Sequence, residues 1–219
     1  MVTVTVVALN VVSRITDKIE TVRKVVVLFD ICSSTTVLED LLRTDSHVRW
    51  RNLLILLKKF LVVEAKRRGF LLYKFVGDGW FMLFDEEGTD GTVLLDFLGR
   101  LCTRYNEIYC KRVRPALEGE HRVGLTFGVD CGRLVRIEMN DQVEYVGRPL
   151  NVAARLQGAV KIQSDNPEGH LLISKPAYAK LRMGKLEINR GEIVRLDLHN
   201  IAGGAEYLAR RIVVNPVGR

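Results

Sequence analysis

The chain lacks the cysteine pattern of a zinc site or a disulfide framework. Its four cysteines, Cys32, Cys102, Cys110 and Cys131, form no CxxC pair, and no histidine cluster accompanies them. Reduced thiols in a cytoplasmic protein are the expectation that remains. The chain also lacks an apolar run long enough to span a bilayer. Its N-terminal stretch MVTVTVVALNVV is apolar, short and β-branched, without a basic leader or a small-residue cleavage site. An edge strand or a partner-covering segment is expected there, rather than a signal peptide. Internal repeats, low-complexity tracts and long linkers are missing too. The 219 residues therefore read as one domain, with a core over about 24–213 and residues 1–23 as an N-terminal extension.

What is present is a globular composition, 47% apolar, with room for a core that needs no staples. The formal net charge is +7, from 33 Lys and Arg against 26 Asp and Glu. That balance suits an anionic ligand, and by itself suits nucleic acid or an anionic membrane surface as well. The basic residues are scattered through helical segments, and no aromatic–basic interleaving accompanies them. A solvated surface is expected, with neither a nucleic acid nor a membrane as partner.

The segment KVVVLFD reads as a central strand buried on both faces. TTVLEDLLR reads as a short helix, and VRWRNLLILLKKFLVVEAKRR as a long one stopped at Gly69. FLLYKFV and WFMLF flank Gly-Asp-Gly, which signals a hairpin. GTVLLDFLGRLCTRYNEIYCKRV is another amphipathic helix. HRVGLTFGVD and GRLVRIEM are expected to be two strands joined near Cys131-Gly132. RPLNVAARLQGAV is a helix with Pro149 in its first turn, where a missing N–H costs little. LLISKPAYAKL gives a strand and a helix, and LEINRGEIVRLDL and AEYLARRIVV give closing strands. The order implies an α+β fold: a ferredoxin-like βαββαβ core, its antiparallel or mixed sheet covered by helices, plus a small C-terminal α/β extension.

Two aspartates and an Asn/Arg pair stand out. Asp30 ends a run of five apolar residues, where a carboxylate is costly to desolvate unless something positive meets it. Asp78 sits at the hairpin tip. If the first strand neighbours the hairpin, the two carboxylates converge, and hard oxygen ligands of that kind favour Mg2+ or Mn2+. The loop after Asp30 (Cys32, Ser33, Ser34 and Thr35) enters a helix and can offer N–H groups to phosphates. Taken singly, Asp30 also reads as a helix N-cap or turn residue and Asp78 as a plain turn residue. Asn151 and Arg155 are four apart and share one helix face; they face either water or a phosphate that Arg can fork onto. Lys74 reads as the solvent side of a strand. Trp50, between Arg49 and Arg51, reads as a core aromatic or as a contact for a base.

Together these residues resemble the class III nucleotide cyclases, the adenylate/guanylate cyclase catalytic domain, over about Val25 to Val213. FDICSST resembles the first metal motif and KFVGDGW the hairpin motif. VEYVGRPLNVAARL resembles the motif whose Asn and Arg stabilise the transition state, and LLISKPAYAKL resembles the strand and helix after that motif. The resemblance implies that Asp30 and Asp78, helped by the carbonyl of Ile31, bind two Mg2+ or Mn2+ ions. It implies that Asn151 orients the ribose and that Arg155 meets the α-phosphate. Lys74 and Glu144 fall where adenylate cyclases read the base with Lys and Asp. A head-to-tail homodimer is implied, with metal residues from one subunit and Asn/Arg from the other.

The chain departs from the pattern at three places. Ser33 stands where the loop has glycine, Glu144 replaces a shorter Asp, and His199 stands near where a lysine usually meets the triphosphate. As a stand-alone catalytic domain, the chain resembles the Pycsar-type pyrimidine cyclases of antiphage defence. That resemblance implies UTP or CTP as substrate, cyclic UMP or cyclic CMP as product, and a downstream effector that binds it. An adenylate cyclase and a catalytically silent nucleotide-binding module remain the alternatives.

Overall fold

A computed structural model describes residues 20–139, 141–163, 166–183 and 191–214. The first strand, β1 (Glu20–Ile31), contains the apolar run and sits in the middle of the sheet. It begins at Glu20, so Glu20 to Arg23 belong to the sheet rather than to the N-terminal extension. The apolar stretch at the N-terminus lies outside the described residues.

Two helices come next, α1 (Ser34–Arg43) and α2 (Val48–Arg68). α2 stops at Gly69, whose φ of 72° lets the chain turn left-handed and return an N–H to the Ala65 carbonyl. The hairpin forms as expected, with β2 (Leu71–Val76) and β3 (Gly79–Asp85) joined by Gly77-Asp78. Gly77 has φ +64°, the left-handed value that two-residue hairpin loops need at their first central position. α3 (Gly91–Ile108) is capped by the Asp90 side chain, which accepts from Val93 N–H, and runs on into one π turn over Tyr109–Val113.

One expectation fails here. The two strands placed either side of Cys131-Gly132 are a single strand, β4 (Leu125–Met139). β1 pairs with it continuously from Glu20↔Arg136 to Ile31↔Leu125, and that ladder carries the backbone through Gly132. The next strand is instead β5 (Gln142–Val146), which folds back onto β4. After it come α4 (Arg148–Gln163), β6 (His170–Ser174), α5 (Lys175–Lys180), β7 (Glu192–Leu196) and β8 (Tyr207–Val213).

Among the described residues, the sheet has eight strands in the order β2-β3-β1-β4-β6-β8-β7, with β5 attached to β4. It is mixed: β4 and β6 run parallel, and the other pairs are antiparallel. Strand alternation divides its surroundings. Val25, Val27, Phe29 and Ile31 join the large core with α2 and α3 residues such as Leu53, Leu57, Leu61 and Phe97. Val26 joins a smaller cluster on the other face with Leu83, Leu134 and Ala153 of α4. Asp30 has the parity of Val26. It therefore leaves the sheet on the α4 side, away from the large core.

Candidate active site

Asp30 and Asp78 meet because β3 is pressed against the end of β1. A Cβ on Gly79 would stand 1.8 Å from the Phe29 carbonyl oxygen and 3.1 Å from the Asp30 Cα. Only glycine allows that approach, and it sets the neighbouring Asp78 beside Asp30. Asp78 Oδ2 accepts from Ile31 N–H at 3.3 Å, and the Ser34 hydroxyl donates to the same carboxyl. Even so, burial and then the Asp30 carboxyl beside it push the pKa of Asp78 up to about 6.

Lys161, which no sequence motif marks, closes this cluster. It lies in the last turn of α4 and donates from Nζ to Asp30 Oδ2 at 2.7 Å. Burial lowers the ammonium pKa, but the hydrogen bond and charge of Asp30 outweigh it and leave the pKa raised. α4 reaches Asp30 because it lies directly on β4. A Cβ on Gly128 would be 2.0 Å from the Ala153 carbonyl oxygen, so glycine is required there too. Gln157 Nε2 donates to Thr126 Oγ1 at 2.9 Å, which pins the helix on the strand that pairs with Asp30.

The loop after Asp30 is drawn inward at one end. Cys32 is buried, its N–H donates to the Gly124 carbonyl at 2.9 Å, and burial pushes its thiol pKa up to about 11. That makes Cys32 a packing residue rather than a phosphate donor. Ser33 and Thr35 are exposed at the start of α1, and Ser34 is half-buried. Ser33 takes φ 55°, the left-handed conformation that glycine adopts without cost. All four cysteines are free.

Asn151 and Arg155 lie on the outward face of α4, both exposed, while Val152, Ala153 and Leu156 beneath them are buried. Arg155 is six residues and Asn151 ten residues before Lys161. At about 1.5 Å of rise per residue, that is roughly 9 and 15 Å along the helix axis from the side chain that touches Asp30. Within one chain, the pair is therefore displaced from the aspartates.

Lys74 and Glu144 do meet, at 3.3 Å. Tyr73 joins them: its hydroxyl donates to Glu144 and accepts from Tyr145 N–H at 2.9 Å, and its ring meets that of Tyr145 edge-on at 5.2 Å. The Tyr73 hydrogen bond, then Lys74, lowers the pKa of Glu144. Simple alternation would send Tyr73 and Lys74 to opposite faces. The register shift between Leu72 and Lys74 lets both reach Glu144. Trp50 is not part of this group. It is 7% exposed and belongs to the large core across the sheet, because it shares the inward stripe of α2 with Leu53, Leu57 and Leu61. The aromatic beside Lys74 and Glu144 is Tyr73. His199 is exposed on the turn between β7 and β8, with Nδ1 3.9 Å from Asp197.

Among the described residues, no three His, Cys, Asp or Glu side chains gather into a metal-binding group. Two adjoining carboxylates next to a backbone carbonyl nevertheless suit Mg2+ or Mn2+, which take one or two carboxylates and fill their shells with phosphate and water. The raised pKa of Asp78 reflects, after burial, a repulsion from Asp30 that a cation would relieve. Among the described residues, no helix is long and apolar enough to cross a membrane.

No sequence description of a family matches the chain, and no curated protein sequence does. Solved structures do. The guanylyl cyclase Cya2 superposes with a TM-score of 0.66 at 14% identity, over 91% of this chain and 95% of that one. The adenylyl cyclase CyaB from P. aeruginosa gives 0.59 at 21% identity, over 90% and 96%. An adenylate/guanylate cyclase/hydrolase from Silicibacter pomeroyi gives 0.58 at 17% identity, over 89% and 98%. The fold is that of the class III adenylyl/guanylyl cyclase catalytic domain: an eight-stranded sheet covered by helices.

Proposed function

We propose that this chain is a nucleotide cyclase, converting a nucleoside triphosphate to a 3′,5′-cyclic monophosphate and pyrophosphate. The observation that carries the reading is the meeting of Asp30 and Asp78, permitted by Gly79, in a fold shared with adenylyl and guanylyl cyclases. Asp30, Asp78 and the Ile31 carbonyl would hold the divalent ions. When bound, such ions acidify the ribose 3′-hydroxyl and neutralise the triphosphate. The 3′ oxygen bonds to the α-phosphorus, the bond to the β-phosphate bridge breaks, and the hydroxyl proton passes to solvent. Asn151 orients the ribose, and Arg155 forks onto the charge that grows at the α-phosphate. N–H groups of Ser33, Ser34 and Thr35 at the start of α1 receive the phosphate tail, and His199 on the exposed β7–β8 turn would contact the triphosphate. Because nucleophile and electrophile share one molecule, positioning supplies much of the rate.

The separation of Asn151 and Arg155 from their own aspartates along α4 supports a head-to-tail homodimer with shared sites. For the base we favour a pyrimidine, UTP or CTP. Tyr73 and Lys74 already hydrogen-bond the longer carboxylate of Glu144, which leaves fewer of its acceptor positions free for an adenine amino group. ATP is the second reading, favoured by the lysine–acid make-up of the same pair. A pyrimidine product would be read by an effector protein in cytoplasmic antiphage signalling.

The test is a product assay. Purified protein is incubated separately with ATP, GTP, CTP and UTP, with Mn2+ or Mg2+, and products are identified by mass spectrometry. Cyclic UMP or cyclic CMP is the expected result. Cyclic AMP would make this an adenylate cyclase, and no product from any nucleotide would sink the enzymatic reading.

A further inference from the structure

Among the described residues, Lys161 is the cation in contact with the aspartate pair, and the proposed reaction gives it no role. It reaches Asp30 from the far end of α4, held by the Gly128 and Gln157 contacts with β4. Its Nζ takes Oδ2 at 2.7 Å, with side chains 43% exposed for Lys161 and 22% for Asp30. Asp30 sits beside a second carboxylate, so Lys161 supplies the positive charge that lets both remain close. It does so on an oxygen that a divalent ion shared by Asp30 and Asp78 would also need.

We infer that Lys161 is a tethered counter-ion that stands in for a divalent cation at Asp30 and must be displaced for that cation to bind. The inference rests on the metal-binding role proposed for Asp30 and Asp78. An ammonium and a divalent ion cannot share one carboxylate oxygen at contact distance without strong like-charge repulsion. Metal loading therefore breaks the Lys161–Asp30 pair, and the pair lowers the apparent affinity for metal. The lysine is far enough into solvent to swing clear on its four methylenes without unfolding α4. A site built this way stays assembled when empty, and fills only when the metal concentration, or the charge of an arriving triphosphate, outweighs the resident ammonium.

The experiment is Mn2+ binding to the full chain without nucleotide, read from the loss of the free-ion electron paramagnetic resonance signal. Wild type is compared with K161M, K161Q and D78N at about 0.1 and 0.5 M KCl. K161M and K161Q should each bind Mn2+ about fivefold to tenfold more tightly, and the ratio should persist at the higher salt, where the Debye length is about 4 Å. Thermal unfolding should agree, with Mn2+ raising Tm more in K161M than in wild type. Weaker or equal binding by both Lys161 variants, with binding still lost in D78N, would overturn the displacement and leave the metal site standing. A ratio that collapses at high salt would also overturn it, since only a diffuse field would remain. No Mn2+ binding by wild type or K161M, or binding indifferent to D78N, would remove the metal site and the inference with it.

Discussion

Replacing Asp78 by Asn should make the metal-free protein more stable while abolishing the proposed cyclase activity. Burial and the adjoining Asp30 raise Asp78 from the ordinary 3.8 to about 6. A carboxyl whose folded pKa is raised binds its proton more tightly in the folded state. It therefore favours unfolding once the pH exceeds both values, and the penalty vanishes as pH falls below about 4. The difference between the two values corresponds to about 3 kcal/mol. The hairpin tip is partly open to water, which reduces this to about 1–2 kcal/mol. Asn keeps an oxygen for Ile31 N–H and the Ser34 hydroxyl, so the local hydrogen bonds survive the change. For a chain of this length, the gain is about 2–8 °C in Tm at pH 8. Thermal denaturation of wild type and D78N in chelator, from pH 4 to pH 8, measures it. The two curves should converge toward pH 4, separate as pH rises from about 4 to 6, and stay apart by a constant amount above that. A D78N protein less stable than wild type at pH 8, or a difference independent of pH, would refute the electrostatic reasoning. Turnover should be lost at every pH.

The same geometry sets three further outcomes. Gly79→Ala places a methyl 1.8 Å from the Phe29 carbonyl, so β1 and β3 must part; a loss of about 3 kcal/mol or more in urea denaturation is expected, with activity falling alongside. Ser33→Gly relieves a left-handed serine, so Tm should rise by about 1–3 °C with the fold intact; a lower Tm would show that the hydroxyl matters more than the backbone. Arg155→Ala should cost about 10²-fold in turnover, and mixing Asp78→Ala with Arg155→Ala subunits should restore part of it; confirmed heterodimers with no activity would rule out shared sites.

The local elements are legible in the sequence because each is set by near neighbours. The apolar run before Asp30, the Gly-Asp-Gly turn and the Gly69 stop appear where pattern and turn chemistry put them. The length of β4 is hidden because Cys131-Gly132 resembles a turn; twelve paired positions along β1 hold it extended, and pairing partners are invisible to a local reading. Trp50 is ambiguous for a similar reason. Its flanking arginines suggest a surface, whereas its place on the α2 stripe puts it in the core.

By itself the sequence determined which residue types are candidates for the proposed site, since Asp30, Asp78, Asn151 and Arg155 lie in short motifs whose spacing fixes their local geometry. Tertiary structure alone decided who meets whom. Gly79 and Gly128 are unremarkable letters until strand and helix backbones close on them, and those two approaches bring Asp78 and Lys161 to Asp30. The bulge after Leu72 likewise turns Tyr73 toward Glu144 against the alternation of its strand. Such contacts join residues up to 131 positions apart, and packing, not periodicity, selects them.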